Sequence, residues 1–139
     1  MLRVPFPVFL CAALLFAASA PAWAASPAGV WYGEGQPEDP GIVYLDRFDE
    51  DGTFIANFRK YENCMVVYDH IESGRWFIED GRLITVIEIS DGMPVAGLQE
   101  YRLEGQTEDE LRLRHVGTEY LFVERRANGF EFPSCGYIS

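Results

Sequence analysis

The chain has 139 residues, with 22 acidic and 11 basic side chains and a formal charge of −11 at pH 7. A chain of this length has room for one core and disfavours a multidomain enzyme or a doubly wound cofactor fold. So acidic a chain, with no basic patch, excludes nucleic acid as a partner. We therefore expect a single small domain that holds no cofactor.

The first 24 residues have the pattern of a secretory signal peptide. Arg3 precedes an apolar stretch over residues 8–18, and Ala22-Trp23-Ala24 supplies an A-x-A cleavage site. The apolar stretch is about half as long as the roughly 20 residues that span a bilayer. The pattern predicts cleavage after Ala24 and one exported domain over 25–139, located in a bacterial periplasm or secreted, with a formal charge of −12.

Removal of the leader also removes Cys11 and leaves two cysteines, Cys64 and Cys135. A pair of cysteines in an oxidising compartment favours a disulfide over a metal site or a nucleophile. The loop between them is long, and its closure would contribute about 4 kcal/mol in the chain-entropy model. The bridge would fasten the C-terminal tail to the body of the domain; free thiols are the alternative.

From Gly29 onward, apolar residues alternate with period two and turn residues recur about every ten positions, which is typical of an all-β meander. Eight strands are predicted, over residues 30–34, 42–48, 53–61, 64–79, 83–89, 98–104, 111–116 and 119–126. Ser73-Gly74 predicts a bulge in the long fourth strand. Closure of the meander into an up-and-down barrel would remove both sheet edges, and a two-sheet β-sandwich is the alternative.

Three connecting or covering segments carry further expectations. The acidic run over 49–52 lacks the ligand spacing of a calcium loop and predicts a hairpin turn. Residues 90–94 predict a longer loop, which could protrude. Segments 120–123 and 83–89 are apolar on both faces, so one face should lie against the C-terminal tail or a capping segment, and we expect the tail to be the cover.

Gly29-Val30-Trp31 opens the first strand, and Arg125-Arg126 ends the last one. With the eight-strand meander, these residues resemble a small bacterial lipocalin-like (calycin-type) barrel. The resemblance implies that Trp31 plugs one end of the barrel and that Arg125 or Arg126 packs over its ring, a cation–π contact of about 0.5–2 kcal/mol. A disulfide from the tail to the barrel, here Cys135 to Cys64, also resembles the lipocalin arrangement.

No motif in the chain indicates catalysis. His70 and His115 lie far apart and lack the spacing of metal ligands, so no metal site is expected. The chain has no nucleophile elbow, phosphate-binding loop or dinucleotide fingerprint. These observations predict a protein that is not an enzyme.

Aromatic residues make up 14% of the chain and fall mostly on predicted strands. In an eight-stranded barrel they either fill the interior or line a cavity for one small ligand. The second case predicts a carrier of a small hydrophobic ligand. We expect Trp76, Tyr101, His115 and Gln99 to line its site.

The acidic surface supports a second hypothesis. A strongly negative exported barrel would attract cationic partners by long-range electrostatics. This hypothesis predicts a periplasmic interaction or inhibitor module that binds a cationic protein, such as a cell-wall hydrolase. A protruding loop around Met93-Pro94 would serve such a role.

Overall fold

The computed structural model describes residues 26–135, so the predicted signal peptide lies outside the described residues. Eight strands follow one another along the chain: β1 (Gly29–Glu34), β2 (Val43–Phe48), β3 (Thr53–Glu62), β4 (Met65–Glu79), β5 (Arg82–Ser90), β6 (Met93–Gln106), β7 (Glu110–His115) and β8 (Leu121–Arg126). Within the described part, no helix has the length and apolar character to cross a membrane.

Each strand pairs antiparallel with the next, and β8 returns to pair with β1, which closes the sheet into a barrel. In the closing pair, Tyr32 lies opposite Arg125 and Trp31 opposite Arg126. The predicted up-and-down barrel is confirmed, and the two-sheet alternative is wrong. Closure leaves none of the eight strands with an unpaired edge.

Alternate connections lie at opposite ends of the barrel. We call the end with connections 35–42, 63–64, 91–92 and 116–120 the mouth end, and the end with 49–52, 80–81 and 107–109 the plug end. The long strands β3 to β6 are joined by tight turns, each with two central residues at positive φ, as type I′ turns require. Those turns are Asn63-Cys64, Asp80-Gly81 and Asp91-Gly92.

The predicted longer loop over 90–94 is wrong. Ser90 pairs with Met93, so only Asp91-Gly92 lies between β5 and β6. Asp and Gly both tolerate the left-handed backbone of a tight turn, which lets the strands continue to its edge. The turn at 49–52 does join β2 to β3 as expected: the Gly52 amide donates to the Asp49 carbonyl over 3.0 Å.

The predicted bulge at Ser73-Gly74 is present, because the register between β4 and β5 shifts between these two residues. A Cβ atom at Gly74 would lie only 1.9 Å from the carbonyl oxygen of Val86. Glycine therefore lets the two backbones approach at the bulge.

The C-terminal tail covers a different face from the one expected. It packs Phe130 and Phe132 against an outer cluster formed by Tyr32, Val43 and Leu45, on β1 and β2. Val123 on β8 stays 40% exposed and Ile89 on β5 stays 46% exposed, and no residue of 120–123 or 83–89 belongs to the cluster that the tail packs against, so the prediction that the tail covers these two segments is wrong. The tail instead buries the apolar residues on the outer face of β1 and β2.

The predicted disulfide is confirmed. Cys64, in the β3–β4 turn, is bonded to Cys135 in the tail, with 5.4 Å between their Cα atoms. Two arginines also cap the aromatic rings of the tail: Arg47 lies 5.3 Å from the Phe130 centroid, and Arg59 lies 4.5 Å from that of Phe132. The bridge thus holds the tail at the mouth end.

Candidate functional site

The plug end of the barrel interior is closed by Trp31, which has no exposed surface. Its indole Nε1 donates to the Pro27 carbonyl over 2.7 Å, and the guanidinium of Arg126 lies 3.9 Å from its ring centroid. Arg126 shares the inward phase of β8, whereas Arg125 lies on the outer face beside Tyr32 and Val123. The structure therefore places Arg126, of the two predicted arginines, over Trp31.

Beyond the plug, the barrel contains a cavity of about 70 Å³. Its apolar walls come from Phe48, Phe54, Ala56, Phe58, Ile87, Leu113 and Phe122. Its polar lining comes from Gln36, Tyr44, Asp46, Glu72, Thr85, Gln99, Tyr101 and Glu124. We call it the acidic cavity because three of its lining side chains, Asp46, Glu72 and Glu124, are carboxylic acids.

A glycine on β1 lets these groups approach each other. Gly33 lies opposite both Tyr44 on β2 and Glu124 on β8. A Cβ atom at Gly33 would lie 2.2 Å from Cζ of Tyr44, so the Tyr44 ring occupies the space that a side chain on β1 would fill. Because Gly33 has no side chain, the inward-facing side chains of Tyr44 on β2 and Glu124 on β8 can approach each other across β1.

Several polar atoms of the cavity are buried without a hydrogen-bond partner. Within the described residues, these atoms are Nε2 of Gln36, the hydroxyl of Tyr44 and Oε2 of Glu124. Tyr44 is 2% exposed and Glu124 is 1% exposed. Polar atoms placed in this way can hydrogen-bond to a small molecule or to water held in the cavity.

The barrel interior raises the pKa values of two carboxyl groups, those of Asp46 and Glu124. Burial, followed by the charge of nearby Asp46, raises the pKa of Glu124 well above its usual range. Burial within the barrel wall raises the pKa of Asp46 to about 6. Two acids placed close together in a desolvated site resist ionising together. The pair therefore holds protons at a higher pH than solvent-exposed carboxyl groups do.

Glu72 connects the cavity to the mouth end through a histidine. His70 Nε2 lies 2.9 Å from Oε1 of Glu72, and its Nδ1 lies 2.7 Å from Oδ2 of Asp91 in the β5–β6 turn. Partial burial lowers the pKa of His70, but the hydrogen bonds to Glu72 and Asp91 outweigh it, and the net shift is upward. Protonated His70 can donate to both carboxylates at once.

The four predicted ligand-binding residues do not all lie at the cavity: three lie in or beside its lining and one lies toward the plug end. Gln99 and Tyr101 line the cavity. His115 contacts both of them, with Nε2 2.6 Å from Oε1 of Gln99 and its ring centroid 5.4 Å from that of Tyr101. Trp76 lies toward the plug end, where its Nε1 donates to the Asp49 carbonyl over 2.8 Å.

The acidic residues of the cavity were not among the predicted ones. The signal that points to Glu124 is strand phase: Glu124 lies two residues before Arg126, so both face the interior if Arg126 covers Trp31. Asp46 carries the same signal on β2, between the inward residues Tyr44 and Phe48. Neither residue belongs to a recognisable motif.

The cavity is lined by carboxyl, amide and hydroxyl groups together with aromatic rings. Within the described residues, no three His, Cys, Asp or Glu side chains lie close enough together to hold a metal ion. The chain matches no protein-family model, and no curated protein is detectably similar to it in sequence.

Proposed function

We propose that the protein is an exported, non-catalytic binding protein of lipocalin-like type, which holds a small polar ligand in the acidic cavity. The observation that carries this proposal is the set of buried polar atoms that line the cavity without partners. A bound polar molecule would supply hydrogen bonds to these atoms.

The size and lining of the cavity favour a polar ligand over the hydrophobic one expected from the sequence. Drug-sized pockets have volumes of about 300–1,000 Å³, whereas this cavity measures about 70 Å³ and has eight polar side chains in its lining. A ligand of a few non-hydrogen atoms matches this space.

Native mass spectrometry of the chain over 25–139, purified from a periplasmic extract, tests the proposal. We expect a retained small molecule, or an increased melting temperature with members of a library of small polar compounds. Ala56→Val adds methyl groups to the cavity wall and should abolish binding; Ala96→Val, at an exposed position on β6, is the matched control. If nothing is retained and no compound raises the melting temperature, the proposal fails.

A second candidate function uses the mouth end instead of the interior. The tips of the β3–β4 and β5–β6 hairpins expose Met65 (68%) and Met93 (67%), and the acidic residues Glu62 and Asp91 lie beside them. Exposed apolar side chains next to negative charge suit a protein partner with a basic, partly apolar surface. This function would be an acidic interaction module for a cationic protein, such as a cell-wall hydrolase.

Titration of a basic muramidase with the protein at low salt tests this second function. We expect a complex that weakens as salt is added, and weaker binding of the Met65→Ser/Met93→Ser variant. Leu98→Ser is the matched control, because Leu98 is 63% exposed but lies within β6, away from the hairpin tips. If the protein forms no complex with the muramidase and does not inhibit it at low salt, the interaction module is refuted.

A further inference from the structure

We propose that the acidic cavity binds a small organic cation that carries one ammonium or amidinium group. This inference rests on the proposed function, because it specifies the charge and chemical class of the ligand. It follows from the charge, the unpartnered acceptors and the aromatic walls of the cavity.

The charge in the cavity is one-sided. Its lining holds three carboxylic acids and neither lysine, arginine nor histidine. Glu72 is paired with His70, but no salt bridge within residues 26–135 includes Asp46 or Glu124. Burial favours the neutral form of Asp46 and Glu124, and a bound cation would favour their ionised form and supply the counter-charge, whereas an anion would find no positive group to pair with.

The unpartnered atoms match the hydrogen-bonding capacity of such a cation. Oε2 of Glu124 accepts hydrogen bonds and so does the Tyr44 hydroxyl, and both line the cavity without a partner among the described residues. An ammonium group offers three N–H donors and no acceptor. A charge-assisted hydrogen bond to a carboxylate is also stronger than one between neutral groups.

Aromatic rings form much of the remaining wall, and this distinguishes an organic cation from a metal ion. The Tyr44 ring packs 6.0 Å from that of Phe58 and 5.9 Å from that of Phe122, while Tyr101 lies 6.0 Å from Phe122. Ring faces attract organic ammonium groups through cation–π interactions. A divalent metal would instead need a compact set of oxygen or nitrogen ligands, which the described residues do not form.

Three probes of nearly identical shape separate charge from size: acetamidinium, acetamide and acetate. Each is titrated calorimetrically into the chain over 25–139 at pH 7.5 and constant ionic strength. We expect acetamidinium to bind, acetamide to bind about tenfold or more weakly, and acetate not to bind. Repeating the acetamidinium titration in buffers of different ionisation enthalpy should show proton release, because the cation favours ionised carboxylates.

Glu124→Gln keeps the shape of the side chain and removes its charge, so it should weaken acetamidinium binding about tenfold or more. Glu72→Gln, at a less buried position in the same lining, gives a second variant if Glu124→Gln does not fold. Glu50→Gln is the matched control, since Glu50 is exposed in the turn at the plug end and should leave binding unchanged.

The outcomes separate this inference from the proposed function. Equal binding of acetamide and acetamidinium, or unchanged acetamidinium binding by both Glu124→Gln and Glu72→Gln, would overturn the cation proposal. A neutral library compound that binds when acetamidinium does not would also overturn it, although the polar-ligand function would stand. Failure of every probe and every library compound would overturn both.

Discussion

The guanidinium of Arg126 lies 3.9 Å from the ring centroid of Trp31, and two backbone carbonyls hold it there. Its Nη1 donates to Ala28 over 3.0 Å, and its Nε donates to Glu108 over 2.9 Å. Trp31 is anchored in turn to Pro27. These contacts join the segment before β1, the loop before β7 and the end of β8, so the plug also fastens the closing strand pair.

Arg126→Ala should lower the free energy of unfolding by about 1–3 kcal/mol, through loss of the cation–π contact and of the two hydrogen bonds. Urea denaturation followed by tryptophan fluorescence measures the change. Arg125→Ala, the neighbouring arginine on the outer face, should have a smaller effect. Equal losses from the two substitutions would contradict the assigned role of Arg126.

Loss of the disulfide should destabilise the protein substantially. Cys64→Ser/Cys135→Ser removes the closure of a long loop, which is expected to cost about 4 kcal/mol in the chain-entropy model. It also frees the tail that covers Tyr32, Val43 and Leu45. The urea midpoint should fall by a similar amount in the variant and in the reduced wild-type protein. A midpoint that does not change on reduction would refute this expectation.

Gly33→Ala should destabilise the barrel by overpacking. The new methyl group would lie 2.2 Å from Cζ of Tyr44, whose buried ring has little room to move. Forced repacking of this kind costs about 1–3 kcal/mol. Gly129→Ala is the control, because nothing lies within 4 Å of a Cβ atom at that position. Differential scanning calorimetry should show a lower melting temperature for the first variant only.

His70 should make stability depend on pH around neutrality. Its pKa is raised in the folded protein above the ordinary 6.5, so protonated His70 favours the folded state. This contribution is fully present below about pH 6.5 and is lost as the pH rises through the folded pKa. Urea midpoints measured across this range should fall with rising pH, and His70→Gln should make the decline shallower.

Two further variants test the geometry behind that decline. Asp91→Asn removes one of the two carboxylates bonded to His70 and should remove part of the pH dependence. Glu88→Gln removes an exposed carboxylate that is paired with Arg75 instead, and should leave the decline in place. A slope that is unchanged in both His70→Gln and Asp91→Asn would exclude His70 as its source.

The sequence predicted the strands, the bulge at Ser73-Gly74 and the disulfide, because each depends on local chemistry that the residue pattern carries. Period-two alternation, turn residues and an even pair of cysteines are all readable without the fold. The resemblance to lipocalin-like barrels implied the plug role of Trp31 and narrowed the residue that covers its ring to two adjacent arginines. Strand phase, visible only once β8 pairs with β1, selects Arg126.

The acidic cavity was harder to predict, because the tail buries outward-facing apolar residues of β2 and so hides which face of this strand points into the barrel. Val43 and Leu45 face outward yet are buried under the tail, so the apolar residues of this strand do not mark its inward face. A reading of Val43 and Leu45 as inward residues would place Asp46 on the solvent side, although Asp46 lines the cavity inside the barrel. The place of the tail depends on tertiary packing that no local pattern encodes.

The positions of Cys64 and Cys135 in the chain also fix when their disulfide can form relative to synthesis of the polypeptide. Cys135 follows every strand in the chain, whereas Cys64 lies in a hairpin formed near its middle. The native bridge can therefore form only after the polypeptide has been synthesised past β8. A chain interrupted earlier would keep an unpaired thiol at the β3–β4 turn and an apolar stripe facing water, two marks by which an unfinished molecule differs chemically from a finished one.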